Sequence, residues 1–459
     1  MTDTPALGIA RFAAALRYED IPAAVRERAR LHILDALGVG VAANAFPFAE
    51  KAMAGLRALG GDGDCTVLGR RERLPVRDAA LANGILMHGL DFDDTHLASI
   101  VHATAASLPC AFSLAEALDL NGRELLTAYV AGMEVAIRLG AAVKGGFHHA
   151  GFHATGIVSH FGAAVVAGKL LQLSEDQLVS AQGIAASAAA GLQVFLEDGA
   201  WTKRFHPGWG AVGGITAAYL ARSGFVGPSR PYEGKFGLFA AHLQEHAATV
   251  DVARLTAGLG RQWELCDTAI KPYPVCHFIH GAADAAMALQ AELPSLQSIV
   301  RVRVLLPAPT LPIVAEPAAD KRRPQTDYAA KFSAAFVIAT CLVHGRFGLA
   351  ELLPEALRDP VVLGLCERTD CASDPDTAFP TYFSGGVELQ LTDGRRLRRH
   401  VRVNRGAGER ALTVDDASQK FAATAGMVLS PDHARKARDA ILSIDQRRVR
   451  DSAECLRIA

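Results

Sequence analysis

A dense run of ionisable side chains lies in the first quarter of the chain. Three carboxylates and two imidazoles occur within residues 88–96, and His102 follows shortly after. The preceding residues, 77–87, are strongly apolar and have the period of a buried helix. Ionisable groups crowded beside apolar surface have shifted pKa values, which acid–base catalysis requires. We therefore expect the run to form part of an active site; the alternative is a loop whose Asp side chains cap the next helix.

Metal binding is a weaker interpretation of the same run. Paired Asp with nearby His suits Mg²⁺ or Mn²⁺. The Asp-Asp-x-x-Asp pattern of prenyl-transfer enzymes, however, would need an acid at position 97, where the chain has Leu97. The sequence contains no HExxH motif, and none of its eight cysteines forms a CxxC pair. We therefore expect a site without a resident metal.

A glycine-rich segment gathers three histidines at the start of a predicted helix. His148, His149 and His153 lie within KGGFHHAGFHATG. A helix N-terminus favours anions, and His149 and His153 are also spaced as two ligands one helical turn apart. We favour a functional role for His153, and we interpret His148 and His149 as partly exposed loop residues.

Two cations lie together in the aromatic segment WTKRFHPG. Lys203 and Arg204 are suited to hold a substrate carboxylate, Arg through two parallel hydrogen bonds and Lys as a point charge. The alternative is a solvated basic loop.

The segment KPYPVCHFIH lies where the character of the chain changes. Its two prolines stiffen the backbone, and His277 and His280 are three residues apart, which places them on one side of a helix. Substrate clefts tend to form at domain junctions. The chain has neither a GxSxG motif nor a Walker-type loop, so hydrolase and nucleotidase functions lack their usual support.

Composition excludes several classes of partner. The 459 residues carry a formal net charge of −1, so neither nucleic acid nor an anionic membrane is indicated. The N-terminus lacks the basic start and apolar core of a signal peptide, and we expect a cytoplasmic protein. The longest uncharged stretch, residues 177–196, is rich in small side chains, which indicates a packed buried helix rather than a membrane span.

The periodic pattern predicts a mainly α protein. Apolar residues recur at helical spacing over residues 77–87, 105–118, 124–139, 157–171 and 418–444. Residues 298–306 alternate as a strand does, and residues 386–403 form a hairpin around Asp393-Gly394. We expect a large all-helical domain formed by the N- and C-terminal segments, 1–268 and 405–459, with a smaller α+β lid domain, 269–404.

Five segments in order carry a family resemblance. They are HGLDFDDTH, GFHATG, TKRFHPGW, the stretch 224–239 and KPYPVCHFIH. Together they resemble the MmgE/PrpD family, which contains 2-methylcitrate dehydratases, cis-aconitate decarboxylases and iminodisuccinate epimerases. The resemblance extends from about residue 5 to about residue 450, and it specifies the family rather than the member.

The resemblance implies a homodimer that needs no metal or organic cofactor. By analogy, the pocket would be lined by Asp91, Thr95, His102, His153 and Lys203. A histidine from KPYPVCHFIH would join them, at a position that corresponds to 276, 277 or 280; position 276 is Cys. Cis-aconitate decarboxylases have a pocket tyrosine after the strand that ends near residue 306, and this chain has PAPTLPIV there.

The family activities share one kind of chemistry. Each acts on a small polycarboxylate through a carbanion-like state next to a carboxylate, which needs cations, hydrogen-bond donors and a proton shuttle. We expect a cofactor-independent lyase for a di- or tricarboxylic acid, similar to 2-methylcitrate dehydratase, acting by proton abstraction next to a carboxylate. The alternatives are an epimerase of an amino- or imino-dicarboxylate, a cis-aconitate-type decarboxylase, and a non-enzymatic helical scaffold.

The same expectation assigns roles to single residues. His102 and His153 are acid–base candidates, Lys203 anchors a carboxylate, Asp91 orients a histidine or lysine, and Thr95 donates a hydrogen bond. Arg204, His277 and His280 complete the predicted substrate-binding set. Asp93, Asp94 and His96 are expected to cap and brace the loop.

Overall fold

The chain folds into two compact units. The computed structural model describes residues 4–458. One unit combines the residues up to 268 with those from 413 onward, and the other comprises residues 269–412. The boundary at 268 coincides with the one proposed from the sequence. Residues 405–412, which we had assigned to the helical domain, belong to the second unit, because the Arg405 amide and the Arg410 guanidinium both donate to Asp284 Oδ2 at 2.8 Å.

The first unit is helical. Its helices are α1 Pro5–Ala15, α2 Ala23–Ala42, α3 Pro47–Leu59, α4 Val76–His88, α5 Ala103–Ala117, α6 Gly122–Ala142, α7 Gly146–His149, α8 Ala154–Leu170, α9 Glu175–Ala186, α10 Phe195–Asp198, α11 Thr202–Arg222, α12 Leu238–Leu243, α19 Val414–Ala425, α20 Pro431–Leu442 and α21 Val449–Glu454. Short extended pieces also occur, namely β1 Cys65–Thr66, β2 Arg73–Leu74 and β3 Thr95–His96, and β4 Thr268–Ala269 follows at the boundary.

The second unit is mixed. Its helices are α13 His280–Gln290, α14 Leu311–Val314, α15 Ala318–Arg322, α16 Asp327–Lys331, α17 Ala334–His344 and α18 Pro360–Cys366. Its strands are β5 Ile299–Leu306, β6 Thr369–Ser373, β7 Gly385–Leu391 and β8 Arg396–Val401, in the order β6-β5-β7-β8. Strand β5 is parallel to β6 and antiparallel to β7, and β7 and β8 form the hairpin that the sequence predicts. The mainly α fold with a smaller α+β part is confirmed.

Helix α8 is the centre of the first unit. It packs against α5, α6, α9 and α11, and α4 packs against both α5 and α11. Nearly all of α8 is buried. Because α8 and α5 both begin at a histidine, this packing brings two helix N-termini and the C-terminal end of α4 into one region.

Glycines let α11 approach its neighbours closely. A Cβ built on Gly84 of α4 would lie 2.4 Å from the Cα atom of Gly208 in α11. A Cβ on Gly214 would lie 2.4 Å from the Cβ of Ala163 in α8. Such distances are far below van der Waals contact, so any larger side chain would push α11 outward. The glycines thereby fix the first turn of α11, which carries Lys203 and His206, against α4 and α8.

Side chains cap the starts of α6 and α9 but not the start of α2. Asn121 and Ser174 each cap the following helix through a capping box. Asp20 does not cap α2; its carboxylate binds the Arg17 side chain and amide instead.

Two apolar stretches bear on the membrane interpretation. Helix α6 is long and apolar enough to cross a membrane, but its apolar window is wholly buried in the unit, as in the core helix of a globular protein. The uncharged stretch 177–196 is not one buried helix, because α9 ends at Ala186 and Leu192 is more than half exposed.

Candidate active site

A buried ion pair joins the loop after α4 to the first turn of α11. The Lys203 Nζ atom lies 2.5 Å from Asp91 Oδ1, and both side chains are less than a tenth exposed. Asp91 has a φ of +53°, in the left-handed region, which Asp tolerates better than most residues. This backbone conformation belongs to the loop that carries the carboxylate to Lys203. A lysine and an aspartate 112 residues apart are thus held as one pair.

His102 lies beside this pair. Its Nε2 atom is 3.9 Å from Asp91 Oδ1, and its Nδ1 atom is 2.9 Å from the backbone oxygen of Asp94. A carbonyl oxygen only accepts hydrogen bonds, so Nδ1 carries the proton and donates it. The nitrogen that gains or loses a proton is therefore Nε2, which faces Asp91.

His88, at the end of α4, packs edge-on against the His102 ring and stacks with the His153 ring. Its Nδ1 atom donates to Asp93 Oδ2 at 2.8 Å, and the same carboxylate oxygen lies 3.5 Å from His102 Nδ1. The His88 and His102 ring centroids are 4.6 Å apart, and the His88 and His153 centroids are 5.6 Å apart. Asp93 thus orients the His88 imidazole and lies close to His102, which is more than the loop-bracing role we expected for it.

His153, the N-cap residue of α8, contacts His206 of α11. Their Nδ1 atoms are 3.0 Å apart, so one of the two donates a proton to the other. Burial lowers the pKa of His153 well below its ordinary value of 6.5, and the positive charge of Lys203 lowers it further. Burial also lowers the pKa of His206, to about 4. Both imidazoles are therefore neutral near pH 7, and His153 is suited to accept a proton or donate a hydrogen bond rather than to act as a resting cation.

Asp94 anchors the loop that follows α4 through buried contacts. It accepts hydrogen bonds from the Thr104 amide at 3.1 Å and from the Thr104 hydroxyl, and His32 Nδ1 lies 2.6 Å from its Oδ2 atom. The Thr104 hydroxyl also contacts the Tyr129 hydroxyl at 2.6 Å. Burial alone would raise the pKa of Asp94, but the His32 and Thr104 contacts outweigh it and lower that pKa. The Asp94 carboxylate thus stays charged, while its backbone oxygen holds His102.

A second buried pair supports the same loop. The Lys420 Nζ atom of α19 lies 2.6 Å from Asp35 Oδ1 of α2 and donates to the Phe92 backbone oxygen at 2.8 Å. It also lies 3.7 Å from the centroid of the Phe92 ring. Burial raises the pKa of Asp35 to about 6. Helix α19 comes from the C-terminal segment, so both ends of the chain position residues 91–94.

The structure brings together four of the predicted site residues. Asp91, His102, His153 and Lys203 form one buried cluster in the first unit. His96 makes a local contact within its own loop, because its Nδ1 atom lies 2.9 Å from the Ser99 hydroxyl. This matches the bracing role expected of His96.

Thr95 and Arg204 are both buried, but in different settings. Thr95 Oγ1 has no hydrogen-bond partner among the residues that the structure describes. The Arg204 guanidinium lies over the Phe48 ring at 4.1 Å and the Trp201 ring at 5.5 Å. Consecutive helix residues point about 100° apart, so Arg204 leaves α11 on a different side from Lys203.

His277 and His280 belong to the second unit. Their ring centroids are 4.3 Å apart, and His277 Nε2 lies 2.9 Å from the Asn404 side-chain nitrogen. His280 Nε2 lies 3.3 Å from the Val275 backbone oxygen. Their participation in substrate binding stays a prediction.

Sequence reasoning left two members of the cluster, His88 and His206, without a role. His88 was part of the ionisable run, and His206 lay in the WTKRFHPG segment, but no local pattern pairs His206 with a histidine 53 residues earlier. His148 is half-buried and His149 is exposed, but both belong to the short helix α7 rather than to the loop that we had expected. The pairing of His149 with His153 as metal ligands is not supported, because the His149 ring stacks edge-on against His246 instead.

Two family domains match the chain in sequence order, and the second of them extends past residue 412 into the segment that belongs to the first unit. Residues 8–251 match the MmgE/PrpD N-terminal domain, and residues 273–446 match the MmgE/PrpD C-terminal domain. The chain belongs to the MmgE/PrpD family. The resemblance inferred from five short segments is therefore confirmed across most of the chain.

Curated relatives in this family extend over nearly the same length. The chain is 28% identical over 448 residues to the cis-aconitate decarboxylase-like protein oryM of Aspergillus oryzae, covering 94% of this chain and 92% of that protein. It is 26% identical to cis-aconitate decarboxylase of Aspergillus terreus, covering 95% and 92%. It is 29% identical to cis-aconitate decarboxylase of Homo sapiens, covering 89% and 85%. These similarities support an enzyme of the MmgE/PrpD family.

Proposed function

We propose that the protein is a cofactor-independent lyase that decarboxylates a small unsaturated tricarboxylic acid of the cis-aconitate type. The observation that carries the proposal is the buried Lys203–Asp91 pair, with His102 Nε2 3.9 Å from the same carboxylate oxygen. This arrangement combines a fixed cation, a charge that balances it and a titratable nitrogen. The relatives named above support decarboxylation over the other family activities.

Several fixed positive ends favour an anionic substrate here. Helices α5, α8 and α11 begin at or next to His102, His153 and Lys203. Each N-terminus carries a partial positive charge from its free backbone N–H groups. Lys203 adds a full charge, which Asp91 partly balances. A substrate carboxylate that approaches Lys203 would therefore replace water with donors that are already oriented.

The reaction needs one proton for each carboxylate lost. The bond between the departing carboxylate and the carbon chain breaks, CO₂ leaves, and the bonding electron pair passes into the neighbouring unsaturated carboxylate system. A proton on His102 Nε2 or Lys203 Nζ is delivered to carbon, and water later returns a proton to that group. Histidine is the side chain best matched to this exchange near neutral pH.

His153 serves a different purpose in this proposal. Because its pKa is well below 6.5, it is neutral when the substrate binds. A neutral imidazole that donates a hydrogen bond can stabilise a developing negative charge without transferring its proton. The 3.0 Å contact with His206 sets which nitrogen of His153 carries that proton.

Dehydration of a hydroxy-polycarboxylate is the second candidate. The specific observation in its favour is the segment PAPTLPIV at residues 307–314, which lacks the tyrosine associated with cis-aconitate decarboxylases. In that reaction neutral His102 Nε2 would remove the proton next to the carboxylate, and the hydroxyl would leave as water.

A substrate panel in D₂O followed by ¹H and ¹³C NMR separates these reactions. We expect cis-aconitate to lose CO₂ with the wild-type protein, and Lys203→Met to lower kcat/KM by about 100-fold or more. Lys51→Met, which removes an exposed lysine from α3, is the matched control and should leave turnover unchanged. Turnover of 2-methylcitrate without CO₂ release would favour dehydration. Full activity of Lys203→Met would contradict the site itself.

We also propose that the protein acts as a homodimer. Trp201, Phe205 and Trp209 follow one another at four-residue spacing along α11, and each is at least 40% exposed. The rings of Phe205 and Trp209 stack at 5.5 Å. An exposed aromatic stripe on one helix is typical of a surface that a partner covers.

A further inference from the structure

We infer that His88, His102 and His153 form a binding site for a first-row transition-metal ion of the Zn²⁺ class. One ring nitrogen from each of the three lies within 4.8 Å of the other two, and all three side chains are less than a tenth exposed. His102 follows His88 by 14 positions and His153 follows His102 by 51, so the three do not form a recognisable ligand-spacing motif. The inferred ion is distinct from a resident cofactor, because the proposed reaction does not use it.

The orientation of two of the rings matches that of metal ligands. His88 donates from Nδ1 to the Asp93 carboxylate, and His102 donates from Nδ1 to the Asp94 backbone oxygen. Histidines that bind metals commonly hold their other ring nitrogen in this way, which fixes the tautomer and makes the ligand more basic. In both residues the lone pair is consequently on Nε2.

His88 Nε2 is the second independent sign of a ligand. This atom is buried and has no hydrogen-bond partner among the residues that the structure describes. A buried polar atom without a partner is unfavourable, so a ligand that satisfies it is favoured. The neighbouring imidazoles of His102 and His153 place it in a group of nitrogens that a cation would satisfy together.

His153 can join without losing its neighbour. When its Nδ1 atom donates to His206 Nδ1, the lone pair of His153 lies on Nε2, so His206 would hold this ligand as Asp93 holds His88. Metals bind the neutral imidazole, and burial favours that form of His153.

The chemistry of the donors selects the ion. Three imidazoles suit Zn²⁺, Cu²⁺, Ni²⁺ and Co²⁺, whereas Mg²⁺ and Ca²⁺ prefer oxygen ligands. Zn–N bonds of about 2.0–2.1 Å require nitrogens about 3.3 Å apart in a tetrahedral site, so the rings need to close by at most about 1.5 Å. A fourth position would remain for water or a substrate carboxylate.

The group formed by Asp91, Asp93 and His102 is a weaker alternative. Its ligand atoms also lie within 4.8 Å of one another. However, Asp91 is paired with Lys203, and Asp93 accepts the His88 proton, so an ion there would displace two contacts that already exist.

An ion at the three histidines would occupy the nitrogen that moves protons in the proposed reaction. Inhibition by the metal therefore rests on the proposed function, whereas the binding itself does not. Binding and activity are measured separately for this reason.

Titration of the full-length apo protein with Zn²⁺ in a calorimeter tests the binding. Co²⁺ titration monitored by visible absorption reports the ligand geometry independently. We expect one ion per chain and the intense visible bands of tetrahedral or five-coordinate Co²⁺. His88→Ala should weaken binding by about 100-fold or more, and Asp93→Asn, which removes only the supporting carboxylate, by about 10–100-fold. His149→Ala removes an exposed histidine of the neighbouring helix α7 and should bind as the wild type does.

Two results would overturn the metal site. One is the absence of stoichiometric binding to the wild-type protein, which needs no variant to fold. The other is unchanged affinity in both His88→Ala and Asp93→Asn. Binding at this site together with undiminished lyase activity would leave the metal site in place and contradict the role of His102 in the proposed function.

Discussion

Removing both partners of the Lys203–Asp91 pair should cost less stability than the two single losses added together. At the observed 2.5 Å, two unit charges attract each other by about 7 kcal/mol in an effective dielectric of 20. Desolvation offsets several kcal/mol of this attraction, because both side chains are less than a tenth exposed. Asp91→Asn leaves a buried ammonium without its carboxylate, and we expect a loss of about 3–5 kcal/mol of unfolding free energy.

A double-mutant cycle isolates the pair. Lys203→Met strands the carboxylate in the same way and should cost a similar amount. The double variant Asp91→Asn/Lys203→Met removes both charges, and we expect it to be more stable than the sum of the single losses implies, by about 2–3 kcal/mol. Urea unfolding followed by circular dichroism, at pH 7 and constant ionic strength, gives each free energy.

Activity measurements on the same three variants distinguish a loss of catalysis from a loss of stability. All three variants should lose turnover, although the double variant loses less stability than the two single variants added together. A coupling energy near zero would show that Lys203 and Asp91 do not act as a buried ion pair, and it would refute the reasoning on which the site rests.

Three further predictions concern the surroundings of the site. Burial lowers the pKa of His160 to about 4 in the folded protein. As the pH falls from 6.5 to 4, the unfolded chain binds a proton that the folded protein does not, and up to about 3 kcal/mol of stability is lost. His160→Gln should flatten this pH dependence in urea titrations. Thr104→Val removes a donor to buried Asp94 and should cost about 1–3 kcal/mol, with a fall in kcat because Asp94 holds His102; an unchanged melting temperature would contradict this role. Trp209→Glu should convert a dimer to monomers in light scattering coupled to size-exclusion chromatography, and a dimer that persists would exclude the α11 stripe as its interface.

The fold could be predicted largely from local patterns. Helix period and the Asp393-Gly394 turn each depend on neighbouring residues, and the structure confirms both. The second unit extends to residue 412, eight residues beyond the boundary predicted at 404, because the contacts of Asp284 with residues 405 and 410 are long-range and leave no local pattern.

The site was predictable in its members but not in its pairings. Asp91, His102, His153 and Lys203 stand in recognisable segments, so the sequence could nominate them. Which carboxylate meets which cation depends on how α11 packs against α4 and α8. That packing rests on close approaches between glycines, and nothing in the segments themselves encodes the partner.

The distribution of roles among adjacent acids was also beyond the sequence. Asp93 turns toward His88 and His102, whereas Asp94 turns toward His32 and Thr104. The left-handed conformation of Asp91 redirects the loop just before them. Neighbouring residues in an irregular loop have no fixed angle between them, in contrast to a helix, so their targets emerge only from the three-dimensional arrangement.

The most direct measurement is the deuterium content of the product formed from cis-aconitate in D₂O, together with the amount of CO₂ released. A lyase that protonates carbon from His102 or Lys203 should release one CO₂ and place one deuterium on carbon in each turnover, and Lys203→Met should reduce both equally. The absence of CO₂ release, or release that Lys203→Met leaves unchanged, would contradict decarboxylation at this site.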